Sequence, residues 1–146
     1  MKRILFLFIV SMVPFWSHAQ NSNLKIKVEG ITELSGKLMF KLSDENGKEV
    51  YKSSHPVKES IEIISLKLKP GKYALAIFHD ANNNDELDKA FSGIPTEKYG
   101  FSNNARGIFG PPDLVDQLFN LEQSKQIKVF IKWKTSSVVF PCFSLA

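Results

Sequence analysis

Alternation of apolar and polar residues runs through most of the chain after residue 20 and predicts short β-strands. Leu24, Ile26 and Val28 alternate with lysines, which is typical of a strand with one face buried and the other in water. The same period recurs further along the chain, in residues 36–42, 61–68 and 126–133. Residues 49–52 are predicted to be the return strand of a hairpin, and residues 72–79 a largely apolar strand. In residues 61–68 the alternation changes phase near residues 64 and 65, which predicts a bulge or a bend.

Turn signals separate these segments. Asn46-Gly47 predicts a hairpin and Pro70-Gly71 a tight turn, while residues 53–59 are expected to form a loop. Residues 112–119 have the composition of one or two helical turns, and residues 138–143 of a last strand or tail. Many short strands, regular turns and at most one short helix predict an all-β fold, a single immunoglobulin-like or transthyretin-like β-sandwich.

The N-terminus has the organisation of a secretory signal peptide. Lys2 and Arg3 precede an apolar stretch of about 13 residues, and small residues precede a cleavage point after Ala19. The apolar stretch is shorter than the roughly 20 residues that span a bilayer, which makes a membrane anchor the weaker alternative. We therefore predict a signal peptide in residues 1–19, one domain in residues 20–146, and a periplasmic or secreted protein without a membrane span after cleavage.

Charge and cysteine content narrow the functional classes. Removal of Lys2 and Arg3 reduces the 19 basic residues to 17, against 15 acidic residues. This near-balance gives no indication of nucleic-acid binding, which usually needs a concentrated basic face. The single cysteine, Cys142, cannot form an internal disulfide. It is read either as a small apolar residue of the terminal segment or as a free thiol.

The long connection between residues 80 and 112 is the most informative part of the sequence. Loops of this length are usually functional or disordered. A disordered segment would not carry so many large apolar side chains, so we expect an ordered loop packed against the sheet. The side chains concerned are Phe91, Ile94, Tyr99, Phe101, Ile108 and Phe109.

An oxygen-bearing side chain stands at every second position at the start of this loop. Ca²⁺ takes six to eight oxygen ligands and tolerates irregular geometry, so this spacing predicts a structural Ca²⁺ site. The predicted ligands are Asp80, Asn82, Asn84, Glu86 and Asp88.

The spacing resembles the first nine positions of an EF-hand loop but departs from an EF-hand at the sixth and twelfth positions. The sixth position is Asp85 instead of Gly, and the twelfth is Phe91 instead of Glu, so further ligands such as Glu97 or Asp113 would be needed. The alternative is an Asx-rich turn without a metal. Zn²⁺ is disfavoured because the loop offers only His79, for which a hydrogen bond to loop backbone is the simpler role.

No catalytic set is evident, and we predict a non-enzymatic protein with no catalytic residues. The mature chain has two histidines and neither a nucleophile elbow nor a phosphate-binding glycine loop. The second hypothesis is a secreted hydrolase that uses two carboxylates of the loop. The candidates for that pair are Asp80, Glu86, Asp88 and Glu97. The third hypothesis is a purely structural domain without a metal ion.

Three motifs together resemble the bacterial domain-of-unknown-function family 2141. They are Phe78-His79-Asp80-x-Asn82-x-Asn84-x-x-Leu87-Asp88, Gly93-Ile94-Pro95-Thr96-Glu97-x-Tyr99-Gly100-Phe101-Ser102-Asn103-Asn104 and Phe109-Gly110-Pro111-Pro112. The resemblance implies an exported bacterial protein with no established activity. The first motif is also similar to the calcium loops of β-sandwich repeats in bacterial adhesins.

A loop fixed by an ion would present a binding surface for a polypeptide or a carbohydrate. The predicted surface residues are Tyr99, Phe101, Asn103, Asn104, Arg106 and Phe109. The alternative is that the aromatic residues form a small core under the loop, as satellite clusters under long loops often do. Oligomeric state cannot be read from the sequence.

Overall fold

Two β-sheets form the part of the chain that a computed structural model describes, residues 21–108 and 110–133. The smaller sheet has the strand order β4-β1-β8, and the larger has the order β3-β2-β5-β6 with β7 also paired to β5. The elements are β1 (Ser22–Glu29), β2 (Lys37–Asp44), β3 (Glu49–Pro56), β4 (Glu62–Leu68), β5 (Gly71–Asp80), β6 (Tyr99–Phe101), a 3₁₀ turn (Ser102–Asn104), α1 (Leu114–Gln117), β7 (Phe119–Leu121) and β8 (Lys125–Phe130). The all-β prediction is confirmed, and α1 is the one short α-helix among the described residues.

The core lies between the two sheets because every second residue of the longer strands points inward. β1 shows this most clearly, with Leu24, Ile26 and Val28 fully buried and Lys25 exposed. Burial of each such side chain stabilises the fold by about 1.5–3 kcal/mol. The other buried members of the core are Ile31, Leu38, Phe40, Leu42, Val57, Ile64, Leu75, Ile77, Phe119, Leu121, Ile127, Val129 and Ile131.

The bulge predicted in residues 61–68 is wrong. β4 pairs with β1 in an unbroken antiparallel register from Ser22↔Leu68 to Val28↔Glu62. Ile63 is 54 % exposed, while Glu62 occupies the inward position. The apparent phase change arises because a carboxylate, which binds two main-chain N–H groups and His55, takes a place where an apolar residue was expected.

Two segments expected to be loop are strands. β3 continues to Pro56, which pairs with Lys37, and proline is tolerated there because β3 is an edge strand. Tyr99–Phe101 forms β6, which pairs with residues 76–78 of β5. The long connection is therefore divided into a loop of residues 81–98 and a second irregular stretch that follows the 3₁₀ turn.

Several predicted features lie outside the described residues: the signal peptide, Phe109, the terminal segment of residues 138–143, and Cys142. Within the described part of the chain, no helix has the length and apolar character needed to cross a membrane.

Candidate functional site

The candidate metal loop begins where β5 ends, at Asp80. The side chain of Asp80 is fully buried. Its Oδ1 accepts the main-chain N–H of Asn84 at 3.1 Å, and its Oδ2 accepts that of Asp85 at 2.9 Å. Because β5 is hydrogen-bonded to β2 through Asp80, this carboxylate ties the loop to the rigid part of the sheet.

The loop backbone turns through two residues with positive φ. Asn83 has φ of 60° and Asp85 has φ of 66°, a left-handed conformation that Asn and Asp adopt more readily than most residues. Asp85 stands at the sixth position, which calcium loops of the EF-hand type give to Gly for a sharp turn. The departure from Gly at this position therefore does not prevent the turn.

Three further predicted ligands converge on one another. Asn82 Nδ2 donates to Asp88 Oδ2 at 2.7 Å, and Asn84 Nδ2 donates to Asp88 Oδ1 at 3.0 Å. The Oδ1 atoms of Asn82 and Asn84 accept N–H groups two residues further along the chain, at 3.1 Å and 2.9 Å. These successive Asx turns, rather than any regular element, place the three side chains together.

Glu86 does not join this cluster through its side chain. Its main-chain N–H donates to Asn84 Oδ1, and within the described residues its exposed carboxylate makes no hydrogen bond or ion pair. The structure therefore brings together the side chains of three of the five predicted ligands, Asn82, Asn84 and Asp88. Asp80 contacts this segment through the main-chain N–H groups of Asn84 and Asp85.

Glu97 closes the loop from its far end. Its Oε1 accepts the N–H of Ala81 at 3.2 Å and its Oε2 accepts that of Asp88 at 3.1 Å. Burial raises the pKa of Glu97; the two N–H groups lower it, and the nearby carboxylates of Asp88 and Asp80 raise it further. Glu97 thus holds both ends of the ligand-bearing segment, whereas the sequence had indicated it as a supplementary ligand or as one carboxylate of a hydrolase pair.

Lys37 is the charged neighbour that sequence reasoning missed. Its Nζ lies 2.7 Å from Asp85 Oδ1 and 3.5 Å from Asp80 Oδ2. The Asp85 carboxylate is the main cause of the raised pKa of Lys37. Only the pairing of β2 with β5, which sets Lys37 opposite Asp80, reveals this contact, and the register of two strands cannot be read from the loop motif.

The chemistry of the loop is that of an oxygen-rich site. Within residues 21–108 and 110–133, no group of three or more His, Cys, Asp or Glu side chains is arranged to hold a metal ion. A bound ion would therefore need amide and main-chain oxygens in addition to carboxylates, which is a ligand set suited to Ca²⁺.

His79 has a structural contact instead of a place in the loop. Its Nε2 lies 2.7 Å from the main-chain oxygen of Ser35, and the imidazole is buried. Ser35 belongs to the connection before β2, so the hydrogen bond to backbone that we expected is present but reaches a different loop.

The predicted binding surface separates into two groups. Tyr99 and Phe101 lie on the outer face of the larger sheet with ring centroids 5.9 Å apart. Asn103 donates to the main-chain oxygens of residues 116 and 118, and Asn104 and Arg106 bind the main chain of Phe130. These three polar side chains are exposed and hold the second irregular stretch to its neighbours, whereas the aromatic pair lies on the sheet itself. The predicted surface residues that the structure describes therefore belong to two separate patches.

The apolar side chains of the long connection also form two groups, one packed on the sheet and one exposed to solvent. Tyr99 and Phe101 pack on the sheet as expected, whereas Phe91, Ile94 and Ile108 are exposed. For these three residues, the expectation that the loop buries its large apolar groups is wrong. Phe91 lies in a turn and Ile108 in a bend.

The carboxylates proposed for a hydrolase are largely engaged. Asp80 is buried and accepts two N–H groups, and Glu97 is buried and accepts two more. Glu86 and Asp88 are the more accessible pair, and Asp88 is held by two asparagine amides. This arrangement favours a loop-forming role over an acid and base facing a substrate.

Comparison with known proteins places the chain in a family. The family described as "Uncharacterized protein conserved in bacteria (DUF2141)" matches residues 26–128, well over half of the chain. No curated protein and no solved structure matches it. The matched region runs from β1 to β8 and includes the whole loop. The chain therefore belongs to this family of uncharacterised proteins conserved in bacteria.

Proposed function

We propose that the protein is an exported β-domain that binds Ca²⁺ structurally through residues 80–88. The observation that carries the proposal is the convergence of Asn82, Asn84 and Asp88 beside the buried carboxylate of Asp80. Carboxylate and amide oxygens are ligands that Ca²⁺ prefers. The apolar stretch and small residues of the N-terminus support export.

Binding would exchange one set of contacts for another. Asp88 now accepts hydrogen bonds from two amide groups, and an ion would take the place of these donors. The oxygen atoms of Asn82 and Asn84 already face loop N–H groups, but a carbonyl oxygen has a second lone pair for a metal. Glu86, main-chain oxygens and water would complete the set.

The expected affinity is low. The loop is already closed by its own hydrogen bonds, and Lys37 supplies a positive charge beside it. The binding free energy of an ion is therefore smaller here than in an open loop whose carboxylates have no other partners. Dissociation constants of about 10⁻⁴–10⁻³ M are typical of extracellular modules, and we place this site in that range.

The role of the ion would be to fix the loop beside the aromatic pair of Tyr99 and Phe101. These two rings line a groove on the outer face of the larger sheet, and Leu87, within the ligand segment, lines it too. An ion held by Asn84 and Asp88 would restrain Leu87 and so define one wall of that groove. The domain would then present the groove to a partner outside the cytoplasm.

Calorimetric titration of residues 20–146 with Ca²⁺, and with Mg²⁺ for comparison, tests the proposal. We expect Ca²⁺ binding that Asp88→Asn weakens by at least tenfold. Asp116→Asn, which removes the same charge from an exposed position in α1, should leave it unchanged. If both variants lose Ca²⁺ affinity equally, or if metal-free protein gives no heat of binding, the loop is an Asx-rich turn without a metal.

A further inference from the structure

The outer face of the larger sheet carries a groove of about 280 Å³. Its lining comes from β2, β3, β5, β6 and the candidate metal loop. The residues are Met39, Phe40, Lys41, Lys52, Ala76, Ile77, Phe78, Leu87, Tyr99 and Phe101. This volume is near the lower end of the range for small-molecule pockets, roughly 300–1,000 Å³.

Strand pairing explains how the groove is formed. Ala76 lies opposite Lys41 on one side and Phe101 on the other, so the small side chain forms the floor. One row along, Phe78 lies between Met39 and Tyr99. Large side chains around a small one leave a depression on a face that is otherwise flat.

The lining is apolar apart from a few groups at its edge. Lys41, Lys52 and the hydroxyl of Tyr99 are its polar side-chain groups. A sugar needs many hydrogen-bond partners, and an extended peptide must satisfy its own N–H and C=O groups; burial without partners costs free energy. An acyl chain has no such requirement, and the lining favours it over the carbohydrate or polypeptide considered above.

The two lysines determine the charge of the occupant. Lys41 and Lys52 are directly opposite in the antiparallel pair of β2 and β3, an arrangement in which like charges destabilise a sheet. Among the ion pairs of the described residues, neither ammonium has a carboxylate partner within 4.0 Å. An anionic group placed between them would relieve the repulsion at the mouth of an apolar groove.

We propose that this groove binds a single-chain amphiphile with a carboxylate head group, a free fatty acid of medium chain length. The acyl chain lies over Ala76 between Phe78 and Phe101, and the carboxylate lies between Lys41 and Lys52. The groove is built mainly from the sheet, so this inference does not depend on Ca²⁺ binding.

Calorimetry with dodecanoate below its micellar concentration tests the proposal on residues 20–146. Dodecyltrimethylammonium, which has the same chain and the opposite charge, should bind at least tenfold more weakly. Lys41→Gln with Lys52→Gln should weaken dodecanoate binding roughly tenfold, as expected for the loss of two exposed charges. Lys25→Gln with Lys67→Gln, a control on the outer face of the smaller sheet, should leave binding unchanged.

A second variant tests the groove itself. Ala76→Phe fills the floor from the solvent-facing side of β5 and should abolish dodecanoate binding while thermal unfolding remains cooperative. Dodecanoate binding that survives both Ala76→Phe and the loss of the two groove lysines would overturn the proposal. So would equal binding of the two amphiphiles, or binding to phosphatidylglycerol vesicles without binding to free dodecanoate, which would assign the face to a membrane surface.

Discussion

The buried carboxylate of Asp80 accepts the main-chain N–H of Asp85 at 2.9 Å, and Asp85 has a positive φ of 66°. The bond and the backbone conformation are linked, because the N–H of residue 85 points at Asp80 only when the chain reverses at residues 83–85. A residue that disfavours positive φ at position 85 should therefore disturb the whole ligand segment.

Asp85→Val should lower the free energy of unfolding by about 1–2 kcal/mol, because a β-branched side chain is strained at positive φ. Asp85→Gly should stay within about 0.5 kcal/mol of the wild type, since glycine adopts this conformation freely. Chemical denaturation measures both, with Glu86→Val as the control at a neighbouring exposed position. If Asp85→Val and Glu86→Val lower the free energy of unfolding equally, the positive φ assigned to residue 85 is contradicted.

Replacement of Lys37 by Met should strengthen Ca²⁺ binding, roughly threefold to tenfold, because it removes a positive charge close to the ligands. The same variant should be less stable than the wild type in EDTA, since the buried Asp80 loses its countercharge. Calorimetry and melts in EDTA and Ca²⁺ separate the two effects. If Lys37→Met lowers stability equally in both buffers, Lys37 acts only as an internal countercharge.

Gly100 allows β6, which carries the groove aromatics, to lie close to β8. A Cβ on Gly100 would be 2.9 Å from Val129 Cγ1 and 3.0 Å from the main-chain oxygen of Phe130. Gly100→Ala should therefore cost about 1–3 kcal/mol through overpacking. Gly71→Ala is the control, because a Cβ there has only ordinary contacts with Tyr73 at 3.5 Å. Urea denaturation of the two variants provides the comparison.

Glu62 should make the free energy of unfolding depend on pH in the acid range. Burial raises its pKa, but the N–H groups of Lys58 and Glu59 and the side chain of His55 together bring the pKa below its usual 4.5. A carboxyl group with a lowered pKa in the folded state stabilises the protein above the unfolded pKa. That contribution is lost as the pH falls through the folded pKa.

Glu62→Gln should accordingly reduce stability at neutral pH by about 1–3 kcal/mol, the usual cost of impairing a charged hydrogen-bonded group. The difference from the wild type should shrink as the pH is lowered from about 6 to about 3. Urea denaturation across this range, with exposed Glu59→Gln as the control, measures it. A difference that stays constant with pH would show that the charge of Glu62 contributes nothing.

The strands were predictable because period-two alternation with one buried face is a local property of the sequence. β1 and β8 follow it along most of their length, with Leu24, Ile26 and Val28 of β1 and Ile127 and Val129 of β8 at inward positions. The inward face of β4 could not be assigned from the sequence, because one of its inward residues is the charged Glu62. The Glu62 carboxylate is hydrogen-bonded to His55 and to the main-chain N–H groups of Lys58 and Glu59. Those partners are known only once the chain is folded.

Only the local part of the candidate site was predictable. Asn82, Asn84 and Asp88 belong to one sequence motif, and Asx turns at Asn82 and Asn84 bring their side chains together. Lys37 and the groove at Ala76 depend on strand register between distant segments, which no local pattern contains. The main-chain contacts of Asn103 and Asn104 were not predictable either, because their partners lie in α1 and β8.

Thermal unfolding of residues 20–146 in EDTA and in about 1 mM Ca²⁺ tests the central proposal most directly. For a dissociation constant of about 10⁻⁴–10⁻³ M, Ca²⁺ binding raises the free energy of unfolding by roughly 0.4–1.4 kcal/mol. The melting temperature should then rise by roughly 2–6 °C, in the wild type and Asp116→Asn but not in Asp88→Asn. Protein shown to be metal-free by elemental analysis, with a melting temperature unmoved by about 10 mM Ca²⁺, would contradict calcium binding by this loop.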